Sequence, residues 1–196
     1  MIVAFKPPFL LVHDDGNNQD TLQARVNGYL QLNQNKYPAQ AIHRIDYETS
    51  GLVLFCKHPF FQAYCDKNME EHHIKKEYIA LVQGHTNYKN KKIISNIARD
   101  RHNAKKMIIH PNGKESVSIF NTLKNYKDYS LIQVTILTGR KHQIRVQCAS
   151  LKHPILNDSL YGGKKIDNTG LLLQSHHIQF NDVDITCPQE KRFIRK

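Results

Sequence analysis

Leu52-Val53-Leu54-Phe55-Cys56 is an unbroken apolar run only five residues long. A run so short and uniform specifies a buried strand, since a half-exposed strand would alternate apolar and polar residues. Such a strand needs neighbours beside it and cover above it. Ile2-Val3-Ala4-Phe5 reads as one strand, ended by Lys6-Pro7-Pro8, and Leu10-Leu11-Val12 as a second. Glu77 to Val82 and Ser130 to Leu137 read as longer strands. Lys91 to Leu123 is a strand meander with a turn at Pro111-Asn112-Gly113, and Leu171-Leu172-Leu173 opens a late strand.

Three stretches carry helical spacing instead. Asp20 is placed to cap a helix from near Thr21, with Leu22, Val26, Tyr29 and Leu30 on one face. A second runs from Pro59 to about His72, with Phe61, Tyr64, Cys65 and Met69 in phase. A third spans His142 to Leu151. Asp14 to Asn18 is a turn. The expected architecture is α+β, a mixed and largely antiparallel sheet with helices packed on it, and residues 1–196 form a single domain.

The charge bears on partners. Lys and Arg number 28 against 17 Asp and Glu, a formal charge of +11. That excess favours a polyanion, because cationic side chains displace counterions condensed on phosphates. Charge alone does not separate RNA from DNA or from an anionic membrane. The four cysteines form no CxxC pair, and no Cys/His spacing resembles a zinc site, so no metal is expected. No signal peptide and no membrane-spanning run is seen, which implies a reducing cytoplasm. A monomer is the default for this size.

Three polar segments interrupt well-patterned elements. In His43-Arg44-Ile45-Asp46-Tyr47-Glu48-Thr49-Ser50-Gly51, Arg44 and Asp46 point the same way if the backbone is extended. Asp46 is a candidate nucleophile or base; alone, the segment reads better as a loop in which Asp46 pairs with Arg44 and Thr49-Ser50-Gly51 is a turn. In Lys75-Lys76-Glu77-Tyr78-Ile79-Ala80-Leu81-Val82-Gln83-Gly84, alternation puts Tyr78, Ala80 and Val82 on one face, the pattern of a core tyrosine too. Thr138-Gly139-Arg140-Lys141-His142-Gln143-Ile144-Arg145 joins a strand to a helix. Arg145 lies at the edge of a buried face there and calls for a carboxylate, for which Asp46 is one candidate.

Taken in order, these segments resemble RluA-type RNA pseudouridine synthases. Lys6-Pro7-Pro8, His153-Pro154-Ile155 with Asp158 and Tyr161-Gly162, and Leu171-Leu172-Leu173 extend the resemblance over nearly the whole chain. It implies the pseudouridine synthase catalytic fold without the S4 RNA-binding module of some relatives. It also implies that uridine in structured RNA, ribosomal or transfer, is isomerised without a cofactor. Asp46 would be the catalytic aspartate, Tyr78 the active-site tyrosine that stacks on the base, and Arg145 the arginine paired with the aspartate. Arg44 would hold the target base out of its helix. His43, Arg140 and His142 would face the RNA or lie just behind, and Leu172 would line the base pocket.

The chemistry suits these residue types. The N1–C1′ bond must break, the base must turn, and C5 must rejoin. A carboxylate can attack C1′ or the base, or take a proton from C2′, and a nearby arginine favours and orients its charged form. Some residues depart from the family pattern. Phe9, Lys152 and Asn157 stand where glycines are usual, and Gln147 where histidine is. They put loop geometry and RNA choice in question. One rival keeps the fold as an RNA-binding or RNA-folding module whose catalysis is lost or secondary. A phosphotransferase is set aside for want of a glycine-rich loop. A metal hydrolase built on the histidines is set low.

Overall fold

The computed structural model describes residues 1–16 and 20–194. Part of the turn expected over Asp14 to Asn18, residues 17 and 18, lies outside them. The apolar run is the inner strand β3, and all of its residues are buried. The strands are β1 (Ile2–Lys6), β2 (Gln40–Ala41), β3 (Ser50–Cys56), β4 (Lys75–Gln83), β5 (Lys91–Arg99), β6 (Met107–Ile109), β7 (Lys114–Asn125), β8 (Tyr129–Ile136), β9 (Leu173–Phe180) and β10 (Val183–Thr186). They form one sheet in the order β1-β3-β9-β4-β8-β7-β5-β6, with β2 beside β3 and β10 beside β9. Among the described strands only the short β3–β9 pairing is parallel. The helices are α1 (Leu22–Leu32), α2 (Gln62–Glu70) and α3 (Gln143–Ser150). The fold is therefore α+β, as expected. Among the described residues no helix is long and apolar enough to cross a membrane.

β3 opens the gap that becomes the site. β1 runs along one edge, while β2 and β9 share the other, β2 at Phe55 and Cys56 and β9 at Ser50 and Gly51. Between them the chain leaves the sheet at Ile42 and returns at Ser50. Gly51 is indispensable to that return. Its φ is +115°, and a Cβ would collide with the backbone of Ser175 across the parallel pairing.

Tyr78, Ala80 and Val82 share the main core, while Ile79 and Leu81 pack in another cluster, so the alternation holds. Other details differ from the sequence reading. Thr21, not Asp20, caps α1, accepting from the Ala24 N–H at 3.1 Å. Asp20 instead forms a fork with Arg25. Tyr29 and Tyr64 are exposed, because α1 and α2 each bury a narrower stripe than their apolar residues suggest, and Phe61, in the 3-10 turn before α2, is exposed as well. Leu10 to Val12 makes no strand beyond one bridge at Leu11, though Leu10 and Val12 are buried. β9 begins at Leu173, two residues late.

The substituted glycines keep a glycine's backbone. Phe9, Lys152 and Asn157 have φ of 62°, 65° and 67°. Asn157 is compensated: its amide donates to Asp167 at 2.7 Å and to the Gly170 carbonyl at 2.9 Å. Lys152 has no such return. It closes α3, its N–H on the Ala149 carbonyl at 3.0 Å, and its side chain is exposed. Lys152→Gly should therefore raise stability by about 1 kcal/mol, the left-handed cost of a side chain at this helix end. A higher urea midpoint at unchanged slope would show it. A midpoint at or below the parent's would rule it out.

Candidate active site

Asp46 sits on the loop between β2 and β3, and that loop is pinned at several points. The Lys6 side chain, wholly buried, donates to the carbonyls of Pro7, Leu10 and Tyr47 at 2.9, 2.7 and 3.0 Å. Burial lowers the Lys6 pKa to about 8, opposed by the charge of Asp46. The Phe9 N–H reaches the Tyr47 carbonyl and the Leu171 N–H reaches the Glu48 carbonyl. Ile45 is buried in the main core. Arg44, exposed, and Asp46, whose side chain is 26% exposed, both line a cleft of about 630 Å³.

α3 brings the second wall. Arg145 is buried, although it is the third residue of the helix. Its Nε and Nη2 donate to the two oxygens of Asp158, both at 2.8 Å, and that carboxylate is wholly buried. The remaining arm, Nη1, points to Asp46 at 3.3 Å. Arg145 therefore does meet Asp46, but its main partner is Asp158. A planar guanidinium gripped by two parallel hydrogen bonds cannot swivel, so its third edge faces Asp46 in a fixed orientation. The guanidinium also stacks on Tyr161 at 5.1 Å. Asp158 and Tyr161 are the site residues to which the sequence reading gave no role.

A hydrogen-bond chain runs behind Asp46. The Met107 N–H donates to the Tyr161 hydroxyl at 2.8 Å, and that hydroxyl lies 2.9 Å from His142 Nδ1. The hydroxyl thus links Met107 to the imidazole, whose other nitrogen, Nε2, lies 3.9 Å from Asp46. Burial, against the pull of Asp46, holds the His142 pKa down to about 4, so the ring is neutral. His142 itself adopts left-handed backbone, φ 55°, where α3 begins.

The third wall is β4. Tyr78 is buried and lines the cleft, and its pKa is driven upward, first by burial and further by Asp46's charge. It is a neutral phenol with a flat ring and a polar end. Arg140 stands on the same cleft, its Nε on the Glu115 carbonyl at 3.0 Å. Gln143 uses its whole amide to hold that turn, accepting from Thr138 and Arg140 and donating to Val117 and Ser118. Gln147, in the place of the usual histidine, ties α3 to Ser118 and Ser95 at 2.8 and 3.1 Å.

One expected contact falls elsewhere, and another also serves the fold. Leu172 is wholly buried with Ile79, Leu81, Leu156 and Phe193, away from the cleft, and Leu173 lines the cleft instead. Neighbouring residues of an extended chain face opposite ways, so one position reverses the assignment. His43 lines the cleft, yet its Nε2 accepts the Leu54 N–H at 3.2 Å, filling the gap in the ladder left between β2 and β9. Burial, with Lys76 adding to it, lowers the His43 pKa to about 3. The unfolded chain therefore takes up a proton below about pH 6.5 that the folded chain refuses. Stability is full above that pH and declines as pH falls toward 3, by about 1.4 kcal/mol per unit for this histidine. Urea unfolding at pH 7 and pH 5 should show a drop that His43→Gln reduces. An equal drop in both proteins would discard this account.

The cleft thus presents the Asp46 carboxylate, a guanidinium clamped against it, a neutral imidazole and a phenol, with Arg44, Arg140 and Lys141 also lining it. Among the described residues no group of three or more His, Cys, Asp or Glu is arranged to hold a metal. The model of the RNA pseudouridylate synthase family matches residues 1–150. The chain belongs to that family.

Its relatives are consistent with this. An uncharacterised RNA pseudouridine synthase of Bacillus subtilis, YhcT, is 36% identical over 83% of this chain and 55% of its own length. Ribosomal large subunit pseudouridine synthase D of Haemophilus ducreyi is 31% identical over 84% of this chain and 50% of its own. The chain thus spans about half the length of these curated relatives. A solved structure, human RNA pseudouridylate synthase domain containing 4, shares the fold, with a TM-score of 0.79 over 97% of this chain and 86% of that one at 19% identity. The RluA-type resemblance read from the motifs is that of the family found.

Proposed function

We propose that the chain, acting as a single catalytic domain, isomerises uridine to pseudouridine in structured RNA, with Asp46 as the catalytic carboxylate. The observation that carries this reading is the Asp46–Arg145 contact, held by the Arg145–Asp158 fork, beside the ring of Tyr78. A uridine turned out of its stack has a surface to lie on at Tyr78 and a carboxylate at its sugar. The N1–C1′ bond breaks with its electrons passing to the uracil. Asp46 either bonds to the substrate or takes the C2′ proton in that step. The base turns, C5 bonds to C1′, and the C5 proton is exchanged for one at N1. The sum is an isomerisation, balanced without any external electron or group.

The +11 charge suits an RNA partner, and Arg44, Arg140 and Lys141 put cations on the cleft itself. The name of the Haemophilus ducreyi relative makes large-subunit ribosomal RNA the first substrate to assay, ahead of transfer RNA. The test is incubation of purified protein, in the presence of a chelator, with ribosomal and transfer RNA from cells lacking the gene. New pseudouridines at defined positions are expected. RNA binding with no new pseudouridine would replace this reading with that of an RNA-binding module.

A further inference from the structure

β4 carries a lysine that the chemistry above leaves unused. Lys75 and Glu77 pair with each other at 3.0 Å on one face of the strand. Lys76 points to the other face, that of Tyr78, where it is 5% exposed and lines the cleft. Its ammonium donates to Met69 Sδ at 3.0 Å, a weak acceptor. Among the described residues it forms no ion pair, and Glu70, on the same cleft, does not reach it. An ammonium has three protons to place, and among the described residues the Met69 sulfur is the acceptor it is given. Next to it is His43, whose Nδ1 is buried without a well-formed hydrogen bond; the Arg44 carbonyl polarises that ring without closing one. Burial alone lowers the Lys76 pKa to about 8, so the amine is still mostly protonated at neutral pH.

A buried, unpaired cation costs stability and is completed by an anion. We propose that Lys76 receives the phosphate of the nucleotide whose base lies on Tyr78. This rests on the reading of the cleft as a uridine site. Lys76 and Tyr78 are two residues apart on one face, about 6.6 Å along the strand. That is a step a single nucleotide can span between base and phosphate. Arg44, Arg140 and Lys141 then serve the flanking backbone.

The test measures binding and stability, not turnover, so it stands or falls apart from the isomerase assay. Protein labelled with ¹⁵N at lysine is titrated with uridine, uridine 5′-monophosphate, uridine 3′-monophosphate and inorganic phosphate, following the Lys76 resonance. One of the two monophosphates should bind roughly tenfold or more tightly than uridine, the worth of one charge-assisted contact. Lys76→Met should erase that advantage and leave uridine binding in place, and Lys76→Arg should restore part of it. Urea unfolding should find Lys76→Met as stable as the parent or more so, since an unpaired charge has gone. Equal binding of uridine and its monophosphates by the parent protein overturns the proposal. So does an advantage that survives in Lys76→Met, or a Lys76 resonance that no ligand shifts. Equal weakening of uridine and its monophosphates would assign Lys76 to the base instead, and easier unfolding of Lys76→Met would make it a structural cation.

Discussion

Asp46→Asn is expected to abolish pseudouridine formation, by roughly three orders of magnitude or more, while RNA affinity and folding persist. Asparagine has nearly the shape of aspartate and still offers Arg145 an oxygen. It cannot act as a nucleophile or take a proton from carbon. The stability cost should be about 1 kcal/mol or less, because the side chain is partly solvated and Arg145 keeps its stronger partner. Pseudouridine counted by mapping, alongside RNA binding and urea unfolding, separates the three quantities. Activity within tenfold of the parent would remove Asp46 from the chemistry.

Asp158→Ala should be the most damaging change to the fold at the site, with about 3–5 kcal/mol lost. The substitution strands the Arg145 guanidinium, of which two arms are spent on Asp158 inside the protein. Asp46 would then be the remaining carboxylate in reach, from a single 3.3 Å contact. Arg145 would turn toward it and take its oxygens away from the substrate, so activity should fall beyond the loss of folded protein. Asp158→Asn should be milder in stability, since one acceptor survives. Pairing Asp158→Ala with Arg145→Met should recover much of the stability and none of the activity. Should Asp158→Ala unfold within 1 kcal/mol of the parent, the fork does not anchor the site.

Much of this site could be read from the chain, but unevenly. Tyr78 was placed by strand alternation, a local property that survives folding unchanged. Asp46 and Arg145 were joined only through ordered motifs, since no local spacing reveals a contact across 99 residues. The same blindness hid Asp158, whose grip on Arg145 depends on how α3 and the following loop pack. Leu172 and Leu173 are chemically identical neighbours, so the sequence could not say which faces the cleft. Lys75-Lys76 looked like one run of charge, although one member is paired at the surface and the other is buried at the site. The substituted glycines raised a doubt that the backbone answers, for Phe9, Lys152 and Asn157 hold the left-handed turns regardless.

The strand order has a consequence for how such an enzyme comes into being. β9 is among the last strands in the chain, yet it lies in the middle of the sheet, between β3 and β4. Until residues 173–180 slide into that slot, the wall bearing Asp46 and the wall bearing Tyr78 have no common frame. A growing chain therefore carries Asp46, Tyr78 and Arg145 before the sheet joins their walls. Both flanks of the vacant slot are bare ladder edges, open to any extended segment of another chain. Seating β9 covers both edges at once, and a change that loosens it is expected to part the two walls of the cleft.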